Sequence, residues 1–272
     1  MARYCSEPKL IALTDSHAHL DVAAFDADRD AVIARARAAG VVRQVVPAIT
    51  APGWPGLAAL CRHHEGLHAA YGLHPMALAE HREEHLTALP ACLAEHGAVA
   101  VGECGLDFSV PGLDPAQQLR YFEAQLAIAR EQRLPVILHA RRALDAVIGL
   151  LRRSRLDRGG VVHSFSGSPE QALQLWDLGC CIGIGGPVTY PRAQRLRRLA
   201  ANMPAEFLLL ETDSPDQPDA ERRGQRNEPA RLRRVLAEIA LLRGESEDRL
   251  AAITHANATR LFGLPGTIPG PA

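Results

Sequence analysis

The chain has 272 residues, 47% of them hydrophobic and 22% charged, and a formal net charge of -1. This length suits one large domain, and no apolar run approaches the roughly 20 residues that a membrane-spanning helix needs. The balanced charge excludes bulk electrostatic attraction to nucleic acid, so a polyanionic substrate would have to be held by local positive charge, bound metal included.

Short β-rich runs fall, in chain order, at residues 10–14, 41–47, 67–73, 98–103, 135–139, 160–163, 180–184 and 207–211. Segments with helical spacing lie between them, such as residues 115–133, where Leu119, Phe122, Leu126 and Ile128 or Ala129 form one apolar stripe. Alternation of this kind predicts an α/β fold, a (β/α)₈ TIM barrel forming a single catalytic domain over residues 1–262. A doubly wound open sheet has the same periodicity. Asp114-Pro115 and Ser168-Pro169 each place a capping side chain before a proline at the first helical position. Gly40, Gly66, Gly97 and Gly179 fall near helix ends, where the chain must turn. The glycines and prolines of residues 263–272 predict a loose tail.

Cys5, Cys61, Cys92, Cys104, Cys180 and Cys181 show no CxxC pairing and sit mostly in apolar surroundings, as buried thiols in a reducing compartment do. Residues 1–10 lack the apolar core of a signal peptide. A cytoplasmic monomer without membrane contact is expected. Lys9 is the sole lysine beside many arginines and alanines, which reads as coding bias rather than selection for phosphate binding.

The histidines and acids carry the chemistry. His17 and His19 follow the first predicted strand, Glu103 ends the fourth, His139 the fifth and His163 the sixth, and Asp213 follows the eighth. In a parallel barrel these carboxyl ends share one rim, where barrel active sites assemble. The H-x-H spacing of His17 and His19 puts both imidazoles on one side of an extended chain. Imidazoles and carboxylates together suit Zn²⁺, Mn²⁺ or related ions, and six ligands are too many for one tetrahedral zinc with an open position. Two divalent ions sharing Glu103 would use all six and could generate hydroxide from water. By contrast, His63, His64, His81, His85 and His96 read as polar helix-surface positions.

The motifs DSHAHLD at 15–21, YGLHP at 71–75, VGECGLDF at 101–108, PVILHARRA at 135–143, VVHSFSGS at 161–168, IGIGGPVTYP at 182–191, LLLETDSPD at 208–216 and RNEP at 226–229 resemble the TatD-like metal-dependent hydrolases over nearly the whole chain. The resemblance implies an amidohydrolase-type barrel and a one- or two-metal centre. It also implies hydrolysis that in several members is DNase activity, often 3′ to 5′ exonucleolytic. The family's ligand positions fall on His17, His19, Glu103, His139, His163 and Asp213. One ion would take His17, His19, Glu103 and Asp213, and the other Glu103, His139 and His163. Zinc is expected as the bound ion, with magnesium or manganese as alternatives for activity. Asp213 would also accept a proton from the water that attacks. Many members carry Asp where this chain has Arg142, a departure that resembles the YjjV-type branch and leaves the substrate open.

On the substrate side, His74 could donate a proton to a phosphate oxygen or shape its loop through His-Pro. Arg142 could hold a phosphate in bidentate fashion or start the next helix. Ser166, with Gly167 and Ser168, could receive an anion or cap a helix. Gly183, Gly185 and Gly186 lack the Lys and Ser/Thr of a phosphate loop and read as sites of close packing. Arg226 and Asn227 could orient the loop after the last strand or touch substrate. Few aromatics lie near the rim, namely Phe108, Phe165 and Tyr190, so DNA would be engaged without sequence specificity, at an end or as a single strand. The expected reaction is phosphodiester hydrolysis. The alternatives are a small-molecule amidohydrolase or lactonase on the same barrel, and a non-catalytic metal-binding scaffold, which sits badly with an intact ligand set.

Overall fold

The computed structural model describes residues 11–265. Cys5, Lys9, the first residue of the first expected strand and residues 266–272 of the expected tail lie outside the described residues. The strands are β1 (Leu13–Asp15), β2 (Val41–Pro47), β3 (Leu67–Tyr71), β4 (Ala100–Asp107), β5 (Val136–Arg141), β6 (Gly160–Val162), β7 (Cys180–Ile184) and β8 (Leu208–Leu210). Every neighbouring pair is parallel, in the order β1 to β8. Between consecutive strands run α1 (Arg29–Ala38), α2 (Trp54–His63), α3 (Glu83–Glu95), α4 (Pro115–Gln132), α5 (Leu144–Ser154), α6 (Pro169–Asp177) and α7 (Gln194–Asn202). After β8 come α8 (Leu232–Arg243) and α9 (Glu247–Phe262).

The sheet closes where the chain leaves β1 and β8. Ser16 N–H donates to Leu210 O at 2.9 Å, Asp213 N–H to His17 O at 2.8 Å and His19 N–H to Ser214 O at 2.8 Å, and Ala18 pairs with Ser214 in a parallel bridge. The fold is therefore the expected (β/α)₈ barrel and not an open sheet.

The barrel interior changes character along its axis. Val45, Ala70, Ala100, Ile137, Val161, Cys181 and Leu209, one from each of β2 to β8, form an apolar plug. Ala258, Leu261 and Phe262 of α9 and Leu264 pack with it, closing the amino-terminal end of the barrel. The second, larger apolar cluster gathers residues of strands and surrounding helices, with Leu57, Phe122, Val147, Leu175 and Leu236 all buried. Strands covered on both faces explain the near-continuous apolar runs in the sequence.

Several expected boundaries shift. β4 does not end at Glu103 but runs on to Asp107, and β5 continues past His139 to Arg141. Inside the upper barrel, polar side chains continue the inward-facing series, so the end of the apolar run is not the end of the strand. β3 and β8 are shorter than expected, and His163 lies just beyond β6. The caps match: Asp114 Oδ1 accepts the Ala116 N–H at 2.9 Å, and Ser168 and Gln171 form a reciprocal capping box. Gly40, Gly66, Gly97 and Gly179 all have positive φ. Cys61 is half-buried and Cys92, Cys104, Cys180 and Cys181 are buried, all as free thiols. His81 is a correction: it is buried, follows a 3-10 turn at residues 75–80, and donates from Nε2 to His74 O at 2.8 Å. No helix among the described residues is long and apolar enough to cross a membrane.

Gly105 sets the distance between β4 and β5 at the level of His139. Its φ is 137°, and a Cβ there would lie 2.1 Å from His139 O. Gly105→Ala is expected to destabilise the fold by at least about 2 kcal/mol, through backbone strain and an unrelieved clash. Urea denaturation measures this directly, and an unchanged midpoint would refute it.

Candidate metal centre

Two buried glutamines of α4 fix the strand ends that carry the site. Gln125 exchanges hydrogen bonds with Leu73 N–H and O, at 2.7 and 3.2 Å, one residue before His74. Gln118 does the same with Asp107 N–H and O, at 2.7 and 2.9 Å, at the end of β4. Asp15 couples the exits of β1 and β8. Its Oδ1 accepts the N–H groups of His17 and Thr212 at 3.2 and 3.0 Å, and its Oδ2 accepts the Thr212 hydroxyl at 2.6 Å.

Glu103 lies at the centre, 1% exposed, and its two carboxylate oxygens face different histidines. Oε2 is 3.1 Å from His17 Nε2 and 3.4 Å from His19 Nε2. Oε1 is 3.1 Å from His139 Nδ1, 2.8 Å from His163 Nε2 and 3.0 Å from His74 Nε2. Asp213 Oδ1 stands 3.6 and 3.7 Å from the Nε2 atoms of His17 and His19. All six residues expected as ligands are thus brought together. Their donor atoms fall into compact groups, His17 with His19 and Asp213, and His74 with Glu103 and His139, while His163 also groups with His17 and Glu211.

The donor set fits divalent cations, because the outer hydrogen bonds fix which nitrogens face inward as lone pairs. His19 Nδ1 lies 3.2 Å from Pro47 O, which only accepts, so a proton stays on Nδ1 and Nε2 is the nitrogen that offers a lone pair when the ring is neutral. That Nε2 is 3.1 Å from His17 Nε2 and also faces Glu103. His139 Nε2 lies 3.0 Å from Asp107 Oδ2, which keeps a proton on that nitrogen, so Nδ1 donates to Glu103 when the ring is charged and offers an inward lone pair when it is neutral. Lone pairs opposed at such distances repel unless a positive charge lies among them, and carboxylate–histidine pairs of this kind orient metal ligands.

Protonation behaviour reflects the same demand for positive charge. Burial alone would raise Glu103, but His163, His74, His17 and the His139 hydrogen bond hold it well below the usual carboxylate range. Burial would lower His163 and His19, yet Glu103 outweighs it and raises them to about 10 and about 9. His17 goes the other way, lowered to about 4 by burial and by His163. Burial raises Glu211 to about 8 despite His163, and raises Asp15 to about 7 despite its hydrogen bonds from Thr212.

Asp107, Asp15, Glu211, Ser164 and Gln217 were not expected as site residues. Asp107 was legible by parity, since Glu103, Gly105 and Asp107 alternate onto one face once the strand is extended. Its Oδ1 also accepts the Ser109 N–H and hydroxyl at 2.8 and 2.6 Å, which fixes the carboxylate. Glu211 is two residues from Asp213, and Gly183 leaves room for it: a Cβ there would lie 1.9 Å from Glu211 Oε2.

A cavity of about 1220 Å³ opens above the centre, lined by His19, His74, Glu103, His139, His163 and Asp213 among others. Of the expected substrate-side residues, Ser166 lines it and is exposed, while Ser168 carries out the capping. His74 lines it too, but its Nε2 faces Glu103 and its Nδ1 accepts the Met76 N–H at 3.1 Å, so both nitrogens are engaged within the protein. Arg142 is exposed and outside the lining, where Arg141 stands instead, because its left-handed backbone at φ 52° turns the chain at the end of β5. Arg226 and Asn227 organise the loop rather than the cavity. The Arg226 guanidinium binds Asp28 and Ala24 O and lies 4.7 Å over the Phe25 ring. Buried Asn227 donates from Nδ2 to Thr212 O and Asp216 O, both at 2.9 Å.

The family described as TatD related DNase matches residues 14–263. The chain is 42% identical over 255 residues to YjjV of Escherichia coli, an uncharacterized metal-dependent hydrolase, spanning 92% of this chain and 98% of that protein. It is 39% identical over 257 residues to the 3′-5′ ssDNA/RNA exonuclease TatD of Klebsiella pneumoniae, spanning 92% and 97%. The crystal structure of YjjV superposes with a TM-score of 0.91 at 40% identity, covering 94% of this chain and 100% of that one. A TatD family hydrolase from Entamoeba histolytica, at 20% identity and a TM-score of 0.81, shares the fold.

Asp15, Glu211, His19 and His163 are all raised, so the stability they contribute is complete below their unfolded values and is lost as pH rises through about 7, 8, 9 and 10. For protein held in chelator, the urea midpoint is therefore expected to fall between about pH 6.5 and about pH 9, and saturating zinc should flatten that fall by displacing the protons. A midpoint flat over that range in chelator would contradict the assignment. Asp107→Ala should weaken zinc binding by about 10–100-fold through loss of the His139 partner, as read by calorimetric titration.

Proposed function

This chain belongs to the TatD-related DNase family and is a metal-dependent hydrolase, and we propose that its reaction is phosphodiester hydrolysis in DNA, at ends or in single strands, with two divalent ions. The observation that carries the reading is the division of Glu103, whose Oε2 faces His17 and His19 while Oε1 faces His139 and His163. One carboxylate between two imidazole sets is the chemistry of a bridging ligand. In this reading His17, His19 and Asp213 would hold one ion and His139 and His163 the other, with Glu103 available to both. Zinc suits the nitrogen-rich donor set as the bound ion, with manganese or magnesium as the ions to test for activity. Bound divalent ions supply Lewis acidity that activates water and offsets charge on the phosphoryl oxygens.

The chain's own residues do the rest. Asp213 accepts the proton of the attacking water at Oδ1, its Oδ2 being occupied by Gln217 Nε2–H. His74 steadies Glu103 through Nε2–H, and Asp107 keeps the His139 proton on the outward nitrogen. Arg141, Arg192 and Arg195 line the cavity, and none has a carboxylate partner among the described residues, so they are available to phosphates away from the cleaved bond. Half-exposed Met76 supplies apolar surface for a base. The cavity also exceeds the roughly 300–1,000 Å³ usual for small-molecule pockets, which favours a polymer end over a small amide or lactone. The 3′ to 5′ direction is taken from the name of the Klebsiella relative.

The protein loaded with zinc or manganese should shorten single-stranded DNA labelled at the 5′ end in single-nucleotide steps, and EDTA should abolish the reaction. Asp213→Ala should reduce the rate by at least about 100-fold. Absence of shortening with zinc, manganese and magnesium alike would reject the nuclease reading.

A further inference from the structure

Ser164, Asp213 and Gln217 are three non-glycine residues in the left-handed region, at φ 48°, 56° and 48°. That conformation is unfavourable for a residue with a Cβ and persists where surrounding contacts over-determine it. Here the contacts run in one line. Glu211 Oε1 accepts the Ser164 N–H at 2.5 Å, the Ser164 hydroxyl donates to Gln217 Oε1 at 2.7 Å, and Gln217 Nε2 donates to Asp213 Oδ2 at 2.5 Å.

The direction of that line follows from what each group can do. An ionised carboxylate only accepts, so Gln217 must turn its NH₂ toward Asp213. Its carbonyl oxygen then faces Ser164, whose hydroxyl must donate. The reverse amide orientation would set oxygen against carboxylate. With Oδ2 held, Oδ1 is the Asp213 atom that faces the Nε2 atoms of His17 and His19.

We propose that Gln217 is a positioning residue for the hydrolytic reaction, presenting Asp213 Oδ1 to the ligand cluster, and that Ser164 acts only through Gln217 by fixing its amide. The proposal rests on the role given to Asp213 above. Gln217 is half-buried on the cavity wall, so an unbranched side chain of equal length without a donor fits the same space.

The test combines zinc titration without substrate and steady-state kinetics on single-stranded DNA for Gln217→Met, Ser164→Ala and the double variant. Gln217→Met should weaken zinc binding and lower kcat by about 10–100-fold each, with KM changed by less than about 3-fold. Ser164→Ala should lose less, because the amide still reaches Asp213 in one of its two orientations. Added to Gln217→Met, Ser164→Ala should cost nothing further, since its effect passes through the missing amide. Gln217→Glu, which sets an acceptor against Asp213, should bind zinc less tightly than wild type. Thermal unfolding in chelator establishes that the variants fold, and Gln217→Leu replaces Gln217→Met if the latter does not. Unchanged zinc affinity in the folded variant, or effects of Ser164 and Gln217 that simply add, would overturn the proposal. A wild type that binds zinc and cleaves no DNA would instead sink the nuclease reading, and the zinc series would still decide the role of Gln217.

Discussion

Glu103 is a carboxylate held ionised though almost wholly buried, and such a group is strongly destabilising unless positive charge and hydrogen-bond donors surround it. Five imidazoles from four separate places in the chain supply that surrounding. Three of these imidazoles are oriented by a hydrogen bond on their outer nitrogen. Pro47 O holds His19, Asp107 holds His139, and Met76 N–H holds His74. The arrangement makes sense around cations, since the ligand imidazoles, once neutral, would otherwise turn lone pairs toward one another and toward the carboxylate.

Closure of the barrel and assembly of the centre are one event. The hydrogen bonds that join the exits of β1 and β8 belong to the backbones of His17, His19, Asp213 and Ser214. Buried Asp15 reinforces the seam by accepting from Thr212 on the other side. A disturbance of the seam therefore moves two imidazoles and the aspartate together. The stability of the barrel has a second, separate source in the apolar plug and the α9 floor at the opposite end. Such separation lets the carboxyl-terminal end tolerate strained backbone and buried charge, as barrels of this architecture generally do.

The clustering of the six candidate ligands was legible because strand ends in a parallel barrel meet at one rim, which places residues from five strand exits together. The fold was legible because apolar runs and amphipathic segments alternated eight times. What escaped the sequence depended on geometry that periodicity does not carry. Asp107 shares the parity of Glu103, but only the full length of β4 carries that parity past Glu103, because an inward polar series looks like the close of a strand. His81 resembled a surface histidine until a 3-10 turn buried it under His74. Arg226 and Asn227 sit in a motif that reads as functional, but their partners are Asp28 and the carbonyls of Thr212 and Asp216, residues that only the folded loop brings near.

Charge is the case where position matters and number does not. The chain is nearly neutral and rich in arginine, and part of that arginine is neutralised away from the cavity: Arg197 pairs with Glu238, Arg231 with Asp219, and Arg35 with Glu228. Arg195 differs, for although it lies in α7 beside Arg197, it lines the cavity and donates to Ser166 O, leaving its charge uncompensated by any described carboxylate. Arg141 and Arg192 share that condition. A phosphate entering the cavity would meet those guanidinium groups at the wall and the metal-ligand cluster at the base, with low-dielectric barrel walls concentrating the field between them. Absence of a net pull on nucleic acid is therefore no obstacle to the proposed substrate, and the arginine near His139 that lines the cavity is Arg141, its neighbour Arg142 having been turned outward by the bend after β5.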